Sequence, residues 1–195
     1  MASRPRVYLA GPEVFLPRDR ALAVAAEKKA ICAELGLEGV FPFDLEPAAA
    51  EAEAPRARVL AIARKDEELV RSCDAVLANL TPFRGASADV GTVYEVGYAR
   101  GLGKPVFSYT NDHRPYLERC GPLSSDGCDV DGLSVEAFGC CDNLMVDGAL
   151  SFGGDGQGLE FALNAAAPCA ADNIARLTSF RVVASRVAAS LLQGQ

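Results

Sequence analysis

Along the first half of the chain, short β-prone runs alternate with longer stretches of helical period. Arg6-Val7-Tyr8-Leu9-Ala10 stops at Gly11-Pro12, and residues 18–35, rich in Ala, Glu, Lys and Leu, follow as a helix. Gly39-Val40-Phe41-Pro42-Phe43 reads as a second short strand; Pro42 cannot donate to a ladder and puts it at a sheet edge or strand end. Residues 46–55 form an Ala/Glu/Pro loop, after which Val59, Ile62, Leu69 and Val70 give residues 56–71 a helical period. Asp74-Ala75-Val76-Leu77-Ala78-Asn79-Leu80 is nearly continuous apolar chain, as expected of a central parallel strand covered on both faces. Residues 89–99 are helical by spacing and stop at Gly101-Leu102-Gly103; Lys104-Pro105-Val106-Phe107-Ser108-Tyr109 is the next strand. This alternation predicts a flavodoxin-like α/β fold, a doubly wound parallel sheet of about five strands with helices on both faces. Such sheets bind ligands at the carboxyl ends of their strands, so residues 8–12, Asp44, Thr81 and the helix start near Asp89 should converge.

Beyond Tyr109 the pattern weakens. Residues 111–141, rich in Gly, Asp, Ser and Cys, read as a long irregular excursion, the kind of loop that is usually functional or flexible. Asn143-Leu144-Met145-Val146 reads as the last strand, residues 153–158 as a Gly-rich turn, and residues 159–192 as one or two helices broken near Pro168. There is no internal repeat, and residues 1–195 are expected to form one domain.

Composition narrows the partners. A formal net charge of −7 argues against nucleic acid or an anionic membrane, both of which select basic faces, and favours a small neutral or cationic ligand. No apolar stretch approaches the roughly 20 residues of a membrane-spanning helix. Seven cysteines, an odd number without a CxxC, and no signal-peptide pattern predict a reduced, cytoplasmic protein. Cys120, Cys128, Cys140 and Cys141 lack the short spacing of a structural zinc site, and His113 is the sole histidine, which discounts a His-containing triad. Gly11-Pro12 is not GxGxxG and nothing reads GxxxxGK[ST], so no metal or cofactor is expected.

The chemistry centres on Glu95. At about 100° per residue, Val90, Val93, Tyr94, Gly97 and Tyr98 form an apolar stripe with Glu95 off it, among the small residues Ala88, Gly91, Thr92 and Ala99. Small neighbours leave room for a ligand beside the carboxylate. A helix opening after a strand's carboxyl end also presents free N–H groups and a positive dipole end, which should keep Glu95 ionised. Thr92-Val93-Tyr94-Glu95 matches a capping box as well, whereas Asp89 as N-cap would start the helix earlier and take Glu95 out of that role.

Tyr8-Leu9-Ala10-Gly11-Pro12, Asp74 before the central strand, Asp89-Val90-Gly91-Thr92 followed by Glu95-Val96-Gly97-Tyr98-Ala99, and Asp142-Asn143-Leu144-Met145 together resemble the nucleoside 2-deoxyribosyltransferases. The resemblance implies a ping-pong exchange of 2-deoxyribose between nucleobases, with a purine leaning from the Tyr8 to Pro12 start, in a cytoplasmic homo-oligomer. Glu95 would attack C1′ and hold the sugar covalently, as in a retaining glycosidase. Asp89 would be the proton partner of the base, Asp66 a second aspartate near it, and Tyr8 the hydrogen-bond donor to the nucleophile. Asn143 and Met145 match a segment that reaches a neighbouring subunit's site. Gly11 and Pro12 line the strand end, and Phe15, Phe41, Phe43 and Phe83 are placed to stack on a base. Asp44 either orients the sugar hydroxyls or ends a strand, and Ser87, within Arg84-Gly85-Ala86-Ser87, would serve a 5′-phosphate in a hydrolytic relative. For Tyr8 and Met145 a place in the core, and for Asp66 an exposed helix charge, stand as the plain alternatives. Two rival functions stay open: a deoxynucleoside or deoxynucleotide N-glycosidase, and a non-enzymatic nucleoside-binding protein.

Overall fold

A computed structural model describes residues 3–45, 54–151, 159–161 and 169–192. Among the described residues, five parallel strands form one sheet in the order β2-β1-β3-β4-β5, the flavodoxin-like order. They are β1 (Arg6–Ala10), β2 (Glu38–Val40), β3 (Ala75–Asn79), β4 (Val106–Thr110) and β5 (Leu159–Phe161). The helices are α1 (Arg18–Glu34), α2 (Pro55–Ser72), α3 (Val90–Gly101), α4 (Tyr116–Arg119), α5 (Leu144–Ser151), α6 (Ala170–Ala175) and α7 (Thr178–Leu192). No helix among the described residues is long and apolar enough to cross a membrane.

Strand periodicity divides the core. Val7, Leu9, Leu77, Phe107 and Tyr109 point to one face, where Phe180, Val183, Ala184, Val187 and Ala188 supply the stripe of α7 and α1 adds Ile31 and Cys32. Tyr8, Ala10, Val76, Ala78 and Val106 point to the other, against Leu69 and Val70 of α2, Val96 and Ala99 of α3, and Val146 and Leu150 of α5. Each large aliphatic or aromatic side chain buried this way contributes about 1.5–3 kcal/mol.

Several sequence expectations are corrected. Residues 143–146 are not the last strand: Asn143 caps α5, its Oδ1 accepting from Met145 N at 3.0 Å and its carbonyl from Val146 N at 2.9 Å. A four-residue apolar run has no readable period, and burial of Val146 and Leu150 four apart decides for helix. The fifth strand lies instead at Leu159–Phe161, inside the stretch assigned to helix, and α6 and α7 occupy only the end of that stretch. The second strand ends at Val40; Phe41 leaves the ladder and Pro42–Leu45 forms a 3₁₀ turn. The excursion is irregular apart from α4 and a bridge between Cys128 and Ser134. The Gly-rich turn at 153–158, the break near Pro168 and nearly all of the 46–55 loop lie outside the described residues.

The inward face of α3 is also reversed. Thr92, Val96 and Ala99 are buried, while Val90 is 83% and Tyr94 58% exposed. Small side chains let the helix approach the sheet closely, and the two tyrosines turn outward toward α2, their rings stacked at 6.1 Å.

Candidate active site

Because β1 alternates, Tyr8 lies under α3 with no exposed surface, and its phenol donates to Glu95 Oε1 at 2.5 Å. Burial, then the charges of Glu95 and Asp66, push the phenol pKa far above its usual range, so Tyr8 is a permanent neutral donor.

Asp89 settles the capping question. It is the N-cap of α3, and its Oδ2 accepts from Thr92 N at 2.8 Å and Thr92 Oγ1 at 2.9 Å. Thr92 is therefore inside the helix and Glu95 is its sixth residue, beyond the free N–H groups of the first turn. The expectation that the helix terminus keeps Glu95 ionised fails for that reason. Burial raises its carboxyl to about 7; the Tyr8 hydrogen bond opposes this, and the charges of Asp66, Asp89 and Glu13 add to it. Asp66, on α2, is also raised by burial, against the lowering effect of Lys65, whose Nζ stands 3.4 Å from Oδ1.

Glu95 and Asp66 open on a cavity of about 380 Å³ between α2 and α3, walled by Val59, Ile62 and Val70 on one side and Tyr94 and Tyr98 on the other. Of the small residues around Glu95, only Gly91 lines it; Ala88, Thr92 and Ala99 face the core. Tyr94 also donates across the groove to Glu67 Oε1 at 2.5 Å. The arrangement sets one half-buried, polarised carboxyl beside an apolar slot with a second carboxyl in its wall.

The other expected residues are placed elsewhere. Phe15 and Phe83 stack on each other at 4.7 Å, capped by the Arg84 guanidinium, while Phe41 is buried in the core and Phe43 packs edge-on against it. The Asp44 carboxylate accepts from Phe41 N at 2.9 Å and pairs with Lys29, so it closes the turn after β2. Gly11 and Pro12 are buried at the end of β1. A Cβ on Gly11 would stand 2.0 Å from Glu13 Oε2, so only glycine fits. Ser87 is half-buried beside Tyr116, and Asn143 caps α5. Met145 is 72% exposed, which removes the core reading for it.

Two polar clusters escaped the sequence reading. Glu13, on the turn after β1, is wholly buried against Lys28 and accepts from Asn79 Nδ2 at 2.8 Å. A signal for it exists: Ala21, Val24, Ala25, Lys28, Ile31 and Cys32 form one helical stripe, and a lysine on a buried stripe demands a counter-charge. The second is Asp142, which leaves the excursion to accept from Ala88 N at 3.0 Å, with Arg119 at 3.6 Å, and so holds the start of α3. No residue spacing announces that contact. Among the described residues no group of three or more His, Cys, Asp or Glu side chains is placed to hold a metal ion.

The raised carboxyl has a testable consequence. Folded Glu95 binds its proton more tightly than an ordinary carboxyl group, so the stability it contributes is full at acid pH and is lost as pH rises through about 7. Glu95→Gln is expected to raise the thermal midpoint relative to wild type more at pH 8 than at pH 5. An equal shift at both pH values contradicts the raised pKa.

A doubly wound parallel sheet whose switch-point helix carries a half-buried carboxyl, held by a phenol from β1, defines an α/β protein with a carboxyl-centred pocket. Comparison places it more narrowly: the nucleoside 2-deoxyribosyltransferase profile matches residues 7–145, and the chain belongs to that family. It is 34% identical over 194 residues to an uncharacterised protein of Schizosaccharomyces pombe, covering 90% of this chain and 91% of that one. A solved 2-deoxyribosyltransferase from Leishmania mexicana is 35% identical with a TM-score of 0.58, over 72% of this chain and 84% of that chain. A conserved protein from Enterococcus faecalis V583, 18% identical with a TM-score of 0.50 over 88% of this chain and 97% of its own, shares the fold.

Proposed function

We propose that this protein moves 2-deoxyribose between nucleobases, purines in particular, through a covalent deoxyribosyl ester on Glu95. The observation that carries the reading is the Tyr8–Glu95 pair opening on an apolar slot in a chain of this family. Glu95 attacks C1′ as the C1′–N bond breaks, the leaving base takes the bonding pair and a proton, and Tyr8 holds the carboxylate in line. Asp66 faces the slot and is the carboxyl placed to pass that proton to the leaving base; Asp89, with Oδ2 bound by Thr92, orients the helix and adds negative charge at the site. An incoming base then attacks C1′ from the vacated side, returns a proton to Asp66 and frees Glu95.

The exposed Met145 and Leu144 on α5 and the exposed Val59 and Ile62 in the wall of the slot support a homo-oligomer in which a neighbouring copy's Asn143 segment completes the sugar site. The test is incubation with 2′-deoxyinosine, with and without adenine. Formation of 2′-deoxyadenosine is expected to outrun release of free deoxyribose. Sugar release indifferent to added adenine would instead identify a hydrolase.

Since the carboxylate is the nucleophile, exchange is expected to rise with pH through about 7. Tyr8→Phe removes the one bond that lowers the Glu95 pKa, so that rise should move to higher pH as well as weaken. An unmoved profile would detach Tyr8 from the reaction.

A further inference from the structure

The slot offers an exposed aromatic surface that the exchange chemistry leaves unused. Its α3 wall is Gly91, Tyr94, Glu95 and Tyr98, and of these rings Tyr94 is the accessible one, 58% exposed. The ring is nevertheless held in one plane. Its phenol donates to Glu67 Oε1 at 2.5 Å, and it lies within 8° of parallel to Tyr98 at 6.1 Å. Arg71 closes the circuit, 5.3 Å from the Tyr98 centroid and 4.0 Å from Glu67 Oε2. Two i,i+4 pairs, one on each helix, thus fix a ring that the core does not need, since α2 buries only Leu69 and Val70. Beside it the wall is cut away: a Cβ on Gly91, one turn earlier, would approach only the Asp89 carboxyl, at 3.1 Å. None of Phe15, Phe41, Phe43 and Phe83 lines this cavity, so a flat ring entering it meets Tyr94 as its exposed aromatic contact.

We propose that Tyr94 is the base-binding residue of the slot: the nucleobase lies against its ring, and the bond to Glu67 fixes the plane in which it does so. Glu95, the next residue in the chain, then stands at the sugar end of the bound nucleoside. This rests on the reading of the slot as the base site and adds which side chain holds the base. Every nucleobase has a π-face, so such a contact selects flat heteroaromatic rings and leaves discrimination among them to other groups.

The experiment measures equilibrium binding of hypoxanthine and 2′-deoxyinosine to wild type, Tyr94→Phe, Tyr94→Leu and Glu67→Ala. Tyr94 is exposed, so the variants should fold. Tyr94→Leu is expected to weaken hypoxanthine about tenfold or more, and its KM as acceptor should rise in parallel. Tyr94→Phe keeps the ring and should lose much less, with Glu67→Ala, which unlocks the ring, between the two. The chain has no tryptophan, so Tyr94→Trp reports the contact directly: hypoxanthine should quench its fluorescence and deoxyribose should not. Wild-type affinity in Tyr94→Leu, equal losses in the Phe and Leu variants, or no quenching overturns the assignment of Tyr94 and leaves transfer standing. Tyr94-dependent base binding in a protein that exchanges no sugar upholds the assignment and refutes the transferase reading. Wild type that binds neither hypoxanthine nor 2′-deoxyinosine overturns both.

Discussion

Glu95→Ala is expected to abolish deoxyribosyl exchange, by roughly 10⁴- to 10⁶-fold, the scale seen when a covalent nucleophile is removed. Intact-mass measurement after exposure to a deoxynucleoside should show a deoxyribosyl adduct on the wild type and none on the variant. The fold should survive, because Glu95 belongs to neither main hydrophobic cluster and, among the described residues, its carboxyl accepts a single side-chain hydrogen bond, from Tyr8. Truncation does strand the Tyr8 phenol in the core, at a cost of about 1–3 kcal/mol. Glu95→Gln is the cleaner partner experiment, since its amide oxygen can still accept from Tyr8 while the nucleophile is lost. An adduct persisting in either variant, or exchange at the wild-type rate, would move the covalent chemistry away from Glu95.

The largest stability effect is expected on the opposite sheet face. Lys28 and Glu13 have no exposed side-chain surface; Tyr109 adds a hydrogen bond to Glu13 at 3.3 Å, and the Tyr109 and Phe180 rings flank the ammonium at 5.6 and 5.0 Å. Lys28→Met leaves a buried carboxylate without its counter-charge, which typically costs about 3–5 kcal/mol. For a chain of this size that lowers the thermal midpoint by roughly 6–20 °C. Adding Glu13→Gln should restore most of it, since a neutral amide can still accept from Asn79 and Tyr109 and no charge is stranded. A single variant that melts with the wild type would mean that the pair is not buried as described.

The strand-helix alternation was readable because each of the first two elements and the central strand carries its own local signal. Arg6 to Ala10 ends at Gly-Pro, the run at 74–80 is apolar on both faces, and the register follows once the strands are parallel. The end of the chain was not readable in this way. Leu159–Phe161 is three residues long, below the length at which period distinguishes strand from helix, and it is a strand because β4 offers an open edge. In the same way, Asn143 begins a helix because α3 and the sheet cover Val146 and Leu150.

Four of the site's residues were legible as types and positions. Glu95 stood among small residues, Tyr8 in the first strand, although at its middle and not its end, Asp89 at a helix start and Asp66 on the helix before it. Their grouping into one resemblance came from order and spacing, which local chain geometry sets. What the residues experience did not follow from order. The N-cap competition between Asp89 and Thr92 went to Asp89, whose side chain accepts from Thr92 N, and that puts Glu95 beyond the first turn, half-buried against Tyr8. The wall of the slot was misjudged because helical period shows which residues share a face but not which face meets the sheet. The small residues went inward, and Tyr94 and Tyr98 were left lining the cleft. The sequence by itself determined the order of elements and the identity of the carboxyl and phenol groups, since these depend on short-range preferences. Only tertiary packing decided the proton affinity of Glu95 and the buried company of Lys28, because each depends on desolvation by residues distant in the chain.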